Sequence, residues 1–362
     1  MSSDAPTVLF VPWQPKSEAN LYLPSLAGAL RECAGIETYA APPSAVLLPR
    51  VLRGRIDVVH VHWIDQLVQA RGEKKAKIKA RALILQLRML QKIGKRIVYT
   101  AHNLLPHERR GDVEVEATRS LVRIADAIIV HGHVAKDLVC ERFGVPPEKV
   151  HVIPHPNYIG LYGEIVSRNE ARLALDLPDG PMLGFVGQIR PYKGVEELLT
   201  AFGEMPQQHL RLLVAGSVRD SDLASRVERA VGEDPRVVFR PGFVPDHQLG
   251  TMLSAIDVLV LPYRDVLTSG TALLGMSYAV PCVAPRVGCI PEVLTEDANV
   301  LYSLESSLSD ALRACLAKQD QWEAMGEQSL EQARKFTWRG AAEITANVYR
   351  DCGLMLAGGT GA

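Results

Sequence analysis

The side chains in this chain best placed to do chemistry are two cations in a short loop, Arg190 and Lys193, within the stretch FVGQIRPYKG. An apolar, β-branched run ends at Val186, Gly187 permits a tight turn, and Gln188, Arg190 and Lys193 follow before a helical pattern near Val195. Cations beside a helix N-terminus suit a diphosphate, because side-chain charge and unpaired backbone N–H groups attract the same anion. A solvated basic loop would carry the same residues. The position at the carboxyl end of a strand, where open parallel sheets take ligands, favours phosphate. A second segment has the same form: Val258–Leu261 runs into a proline-containing loop, and Thr268, Ser269, Gly270 and Thr271 open a helix. Their hydroxyls cap the first N–H groups, and the remaining ones can grip a phosphate. Neither segment is a Walker loop, and no GxGxxG lies between a strand and a helix, so kinase and dinucleotide chemistry lose support.

Of the 10 histidines, eight precede residue 160: His60, His62, His102, His107, His131, His133, His151 and His155. His60 and His62 stand in VVHVHW, His102 follows VYT, and His131 ends a third apolar run. Histidines at the carboxyl ends of neighbouring parallel strands should line a ligand cleft. A zinc site is not expected: His60 and His62 give one tight pair, and neither a cysteine nor HExxH accompanies them. Asp65, Asn103 and Glu108 lie close to these histidines in sequence, and Asp65 or Glu108 would serve as a general base in an inverting reaction. A further feature is Arg71–Arg96, with 10 basic residues and one acidic. Ile78, Ala82, Leu85 and Met89 recur beside them at helical spacing, so the segment is either a solvated basic face or a surface for anionic lipid.

The elements that must position these groups follow from hydrophobic patterning. Continuous apolar runs at Thr7–Val11, Val58–His62, Arg96–Thr100, Ala127–Val130 and Val150–Ile153 form one series. Met182–Val186, Arg211–Ala215, Val237–Arg240, Val258–Leu261 and Pro281–Ala284 form another. Runs of this kind are strands covered on both faces. Amphipathic stretches between them, including Leu21–Cys33, Lys74–Ile93, Glu114–Ile124, Val195–Phe202, Ser221–Ala230 and His247–Ala255, complete βαβ units. The fold class is α/β, with two Rossmann-like domains of about five strands each facing across a cleft. The expected boundaries are 1–160 for the first, rejoined by a helix at about 338–358, and 165–335 for the second. At 362 residues the chain suits two domains. A composition of 47% hydrophobic and 22% charged residues belongs to a folded protein, and a net charge of -1 gives no field favouring nucleic acid. The six cysteines show no CxxC pair and are expected to be reduced thiols. The N-terminus has no basic region of the signal-peptide kind, and no apolar run is long enough to span a bilayer. The expectation is a cytoplasmic chain with a peripheral contact at the inner membrane face.

FVGQIRPYKGVEELLTAF, LLVAGS, VVFRPGFVPDHQL and DVLVLPYRDVLTSGTALLGMSYAVPCVA, in this order, resemble the donor domain of family-four-like GT-B glycosyltransferases. FTWRGAAEITANVYR resembles the helix that closes such chains. The resemblance implies a sugar transferase in which Arg190 and Lys193 neutralise the donor diphosphate. It places Ser269, Gly270 and Thr271 at the phosphate and the nucleobase on Gly242–Val244, including Phe243 and Val244. Gly187, Gln188 and Gly216 border the donor, and His102 reaches the donor sugar from the other domain. His60, His62, Asp65, Asn103 and Glu108 fall on the acceptor side. One departure stands out: the family's two glutamates, eight positions apart, would fall at Val266 and Leu274. Asp265 stands beside the first position, and nothing replaces the second. The expected donor is GDP-mannose, ahead of UDP-linked sugars, and the acceptor is a saccharide or lipid-linked hydroxyl. No divalent metal or other cofactor is expected to be required. A nucleotide-sugar epimerase of the same fold and a non-catalytic nucleotide-sugar-binding protein are the rival readings.

Overall fold

The alternation of apolar and amphipathic runs builds two α/β units in the computed structural model, which describes residues 5–13, 21–43, 46–103 and 112–354. One unit comprises the chain up to His155 and again from Thr337; the other is Pro156–Phe336. In the first unit the order is β1 (Thr7–Val11), α1 (Tyr22–Ala34), β2 (Glu37–Ala40), α2 (Leu48–Arg53), β3 (Val58–Val61) and α3 (Ile64–Val68). It continues with α4 (Glu73–Lys92), β4 (Arg96–Thr100), α5 (Asp112–Ile124), β5 (Ala127–Val130), α6 (His133–Phe143) and β6 (Val150–Val152). Its six strands are all parallel, in the order β2-β1-β3-β4-β5-β6.

The second unit runs α7 (Arg168–Ala174), β7 (Met182–Val186), α8 (Val195–Gly203), β8 (Arg211–Gly216), α9 (Ser221–Gly232), β9 (Val237–Pro241) and α10 (Asp246–Ala255). Then come β10 (Val258–Val260), α11 (Gly270–Ser277), β11 (Cys282–Pro285), α12 (Ile290–Val293), β12 (Val300–Tyr302), α13 (Leu308–Leu316) and α14 (Trp322–Ala333). Its sheet, also wholly parallel, has the order β12-β11-β10-β7-β8-β9. The last helix, α15 (Trp338–Asp351), belongs to the first unit and packs on α1 through Ala342, Ala346 and Tyr349.

Each sheet therefore has six strands where the sequence suggested about five. The two missed ones, β2 and β12, are both edge strands, and none of their residues is fully buried. β2 mixes polar and apolar residues, and the apolar run of β12 is only three residues long between Asn299 and Ser303, so neither presents a run of ordinary strand length.

Aspartates pin the strands at the end away from the chemistry. Asp57, just before β3, accepts the N–H of Thr7 at 3.0 Å, and Asp126, before β5, accepts that of Ile97 at 2.7 Å. Asp257, before β10, accepts the N–H of Met182 at 2.7 Å and is paired with Arg172 and Arg168. An N–H at the start of a strand is not always met by the ladder, and these carboxylates supply the partner for the first or second residue of β1, β4 and β7, in both units alike. The order of strands reverses between β1 and β3 in one sheet and between β7 and β10 in the other. Those switch points open a crevice at the carboxyl ends of the strands.

Candidate active site

At the β7/β10 switch point, the turn after β7 meets the loop after β10. Gly187 has φ 142°, a conformation that side chains rarely adopt, and its open side faces Lys193, whose Nζ would lie 3.5 Å from a Cβ there. Lys193 Nζ sits 5.3 Å from the ring centre of Tyr263 and 6.0 Å from that of Phe185, a cation held over two aromatic faces. Gly194 is required by proximity: with φ 66°, its Cβ would come within 2.0 Å of the Pro262 carbonyl. The Arg264 N–H donates to the Tyr192 carbonyl at 2.9 Å, tying the two loops together. The Arg190 guanidinium donates to Gln188 Oε1 at 2.7 and 3.1 Å, which orients it along the turn.

Two helices begin at this crevice, and they differ in electrostatics. The first turn of α8 carries Glu196 and Glu197, ion-paired with Arg226 and Arg264 respectively, so its dipole is already offset. The first turn of α11 has no acidic residue, and Ser269 Oγ accepts the Ala272 N–H at 3.1 Å. The remaining N–H groups at the start of α11 and the Arg190–Lys193 loop make the anion-favouring pair. Arg264 is a further cation of this crevice that sequence reasoning passed over. Its ion pair with Glu197 and its backbone bond to Tyr192 both join residues far apart in the chain, which no local sequence pattern reveals.

The other donor-side candidates fall around this centre. Gly216 has φ 155°, and a Cβ there would lie 1.8 Å from the Gly187 carbonyl, so it is the Gly187 turn that approaches its backbone closely. Phe243 follows β9 with its ring 55% exposed, and Val244 is half-buried. Asp265 is exposed, whereas Val266 and Leu274 are buried. The positions of the missing glutamates are thus filled by core side chains.

In the first unit, four strand-end histidines and four aromatic residues form one cluster. His60 is fully buried, its Nδ1 2.6 Å from the Tyr349 hydroxyl and its Nε2 2.7 Å from Thr100 Oγ1, so both ring nitrogens are used inside the protein. His62 Nδ1 lies 3.1 Å from His102 Nε2, and His102 Nδ1 lies 3.3 Å from His131 Nε2. His131 Nδ1 lies 2.9 Å from the Ile153 carbonyl. His102 is stacked on Trp63 at 4.5 Å, and Tyr22 packs its ring against His102, His131, His155 and Trp338. The ring nitrogens are paired with one another in series and do not converge on a point, and among the described residues no group of ligands could hold a metal. Burial lowers the pKa of His60 to about 3 and of His131 to about 4. Burial and neighbouring imidazoles push His62 and His102 well below the ordinary value. All four are neutral near pH 7.

Asp65 sits in the first turn of α3, and Asn103 directly after His102; both are half-buried. Glu108 lies outside the described residues. The aromatic frame of Tyr22, Trp63, Trp338 and Tyr349 was not foreseen. Trp63 adjoins His62 and was in view, but Tyr349 reaches His60 from 289 positions away.

The profile described as Glycosyltransferase Family 4 matches residues 7–156, and that described as Glycosyl transferases group 1 matches residues 180–318. The GDP-mannose:glycolipid 4-beta-D-mannosyltransferase of Xanthomonas campestris pv. campestris is 32% identical over 279 residues, covering 77% of this chain and 73% of that enzyme. The D-inositol 3-phosphate glycosyltransferase of Corynebacterium diphtheriae is 29% identical over 284 residues, covering 72% of this chain and 66% of that enzyme. Among solved structures, sucrose-phosphate synthase from Thermosynechococcus elongatus superposes with a TM-score of 0.74 at 20% identity, covering 96% of this chain and 99% of that one. Anabaena HepE in complex with UDP and glucose also gives 0.74, at 16% identity, covering 96% and 100%. At such identities these structures speak for the fold, the relatives in sequence for the reaction class. With its two parallel sheets and its two matched halves, the chain belongs to the group 1 glycosyltransferases of the GT-B fold and is a sugar-transferring enzyme.

Proposed function

We propose that the enzyme transfers mannose from GDP-mannose to a hydroxyl of a glycolipid or saccharide. The observation that carries this reading is the convergence at the β7/β10 switch point of Lys193, Arg190 and the uncompensated N-terminus of α11. Charge developing on the departing nucleoside diphosphate is stabilised by groups already in place, the largest catalytic term in many transfers. Two cations and a helix start do what a divalent metal does elsewhere, so none is essential. Mannose and the glycolipid acceptor are taken from what the Xanthomonas relative acts on. That the named relatives are transferases favours transfer over the epimerase and binding-only readings. In this scheme His102 is a contact to the reacting sugars, with His62, Asp65 and Asn103 near the acceptor.

A glycolipid acceptor also suits α4. Its buried stripe is Ala80, Leu83, Ile84, Leu87 and Leu90, yet a second apolar stripe, Ile78, Leu85 and Met89, is 68, 55 and 44% exposed on the opposite face. On a 3.6-residue helix, Lys74, Arg81, Arg88 and Lys92 border that stripe on one side, and Lys75 and Lys79 on the other. A merely solvated face has no use for three large aliphatic side chains. Apolar residues rimmed by cations fit an anionic membrane surface. Among the described residues no helix is long and apolar enough to cross a membrane.

A thermal-shift panel of nucleotide sugars tests the donor. A ligand at 100 times its Kd stabilises the folded state by about 2.7 kcal/mol. GDP and GDP-mannose should raise the midpoint more than UDP and UDP-glucose. A shift with uridine nucleotides alone would move the donor assignment, and no shift with any would remove the site.

A further inference from the structure

The histidine cluster has a direction. A carbonyl oxygen only accepts, so His131, with Nδ1 2.9 Å from the Ile153 carbonyl, carries its hydrogen on Nδ1. Its Nε2 is then a bare acceptor and takes a hydrogen from His102 Nδ1 at 3.3 Å. The Nε2 of His102 is bare in turn and accepts from His62 Nδ1 at 3.1 Å. The series ends at His62 Nε2, a buried acceptor with no hydrogen-bond partner among the described residues. Reversing every tautomer is worse. It would set the His131 lone pair against the lone pairs of the Ile153 oxygen, lose that bond, and still leave an unpaired N–H on His62. One orphan acceptor is the lesser cost.

We propose that His131, anchored on the Ile153 carbonyl, is a positioning residue that holds His102 in its Nδ1–H tautomer, so that His102 meets a substrate hydroxyl as hydrogen-bond acceptor and base and never as donor. The proposal rests on the reading of His102 as the contact to the reacting sugars. Trp63, stacked at an interplanar angle of 14°, fixes the plane of the His102 ring, and the bonds to His62 and His131 fix its rotation within that plane. His102 is also the one member of the three that is not fully buried. An arriving acceptor hydroxyl takes the place of His62 at Nε2. Its oxygen bonds to the anomeric carbon of the donor sugar as the bond from that carbon to the phosphate oxygen breaks, the electron pair leaving with the nucleoside diphosphate. The hydroxyl proton goes to His102 Nε2, and the hydrogen on Nδ1 passes to His131 Nε2. The positive charge comes to rest on His131, whose remaining N–H faces the carbonyl dipole. Burial lowers the basicity of His131 and the Ile153 carbonyl restores part of it, so the relay ends on an imidazolium whose N–H is held by a carbonyl.

The experiment is a nitrogen–proton NMR spectrum of the full chain labelled at histidine, near pH 7 without ligand, with resonances assigned by single-histidine variants. His102 in the Nδ1–H form is expected, and His102 in the Nε2–H form overturns the proposal. His131→Gln keeps an acceptor for His102 and an N–H for Ile153, whereas His131→Phe keeps only the ring volume. The glutamine variant should retain the tautomer and most of the turnover, read as GDP release from GDP-mannose with acceptor present. The phenylalanine variant should lose the tautomer and at least about tenfold in kcat with an unchanged KM for donor. Wild-type kcat in a cooperatively melting His131→Phe protein overturns the proposal as well. Should that variant not fold, the wild-type and His131→Gln spectra decide. If His102→Ala keeps full turnover, the site reading fails, a result distinct from any tautomer outcome.

Discussion

Lys193 and Arg190 differ in what removing them does. Lys193 is fixed between two aromatic faces and the Gly187 turn, while Arg190 leans on Gln188 at the surface. Each makes a charge-assisted bond to phosphate worth roughly 1–3 kcal/mol in the proposed complex. Lys193→Ala and Arg190→Ala should therefore each weaken GDP binding by about that amount in calorimetry, and unchanged affinity in both would discard the loop as a diphosphate site. These two were legible in the sequence because their chemistry is local: a strand end, a glycine and two cations within a few positions. Arg264 and the tyrosines were not legible. Their roles come from the Tyr192–Arg264 backbone bond and from the Tyr349–His60 hydrogen bond, pairings made only once the chain folds.

Among the elements, the buried strands were readable because parallel strands covered on both faces are apolar throughout. β2 mixes polar and apolar residues, and β12 is an apolar run of only three, too short to stand out. Helix α4 was readable in position and in its outer stripe of Ile78, Leu85 and Met89, but not in the inner stripe of Leu83, Ile84, Leu87 and Leu90 that packs it. Which of the two packs inward depends on α3, α5 and β4, its neighbours in space. The outer face carries a prediction. The protein should sediment with vesicles containing phosphatidylglycerol more than with neutral ones, and less as salt rises. Replacing Ile78 and Leu85 by glutamate should abolish this with little change in melting midpoint, since both are exposed. Equal sedimentation with both kinds of vesicle would return α4 to a solvated role.

For the molecule as a whole, the cluster of neutral histidines ties folding to pH. An unfolded histidine titrates near 6.5, whereas His60 and His131 in the folded chain titrate near 3 and 4. Below about pH 6.5 the unfolded chain binds protons that the folded cluster refuses, so stability falls as pH falls through that window. The slope is about 1.4 kcal/mol per pH unit for each such histidine. Urea midpoints should thus drop steeply between about pH 6 and 5 and recover at pH 7, and a flat profile would mean that the cluster is not buried and neutral. The most direct test of the central claim is GDP release from GDP-mannose, followed with and without a glycolipid acceptor and with mass detection of the product. Acceptor-dependent release, an acceptor heavier by one hexose, at least about a tenfold loss in His102→Ala and undiminished turnover in EDTA are the results this account requires. A protein that folds, binds no guanosine nucleotide and leaves GDP-mannose intact with every acceptor offered would contradict it.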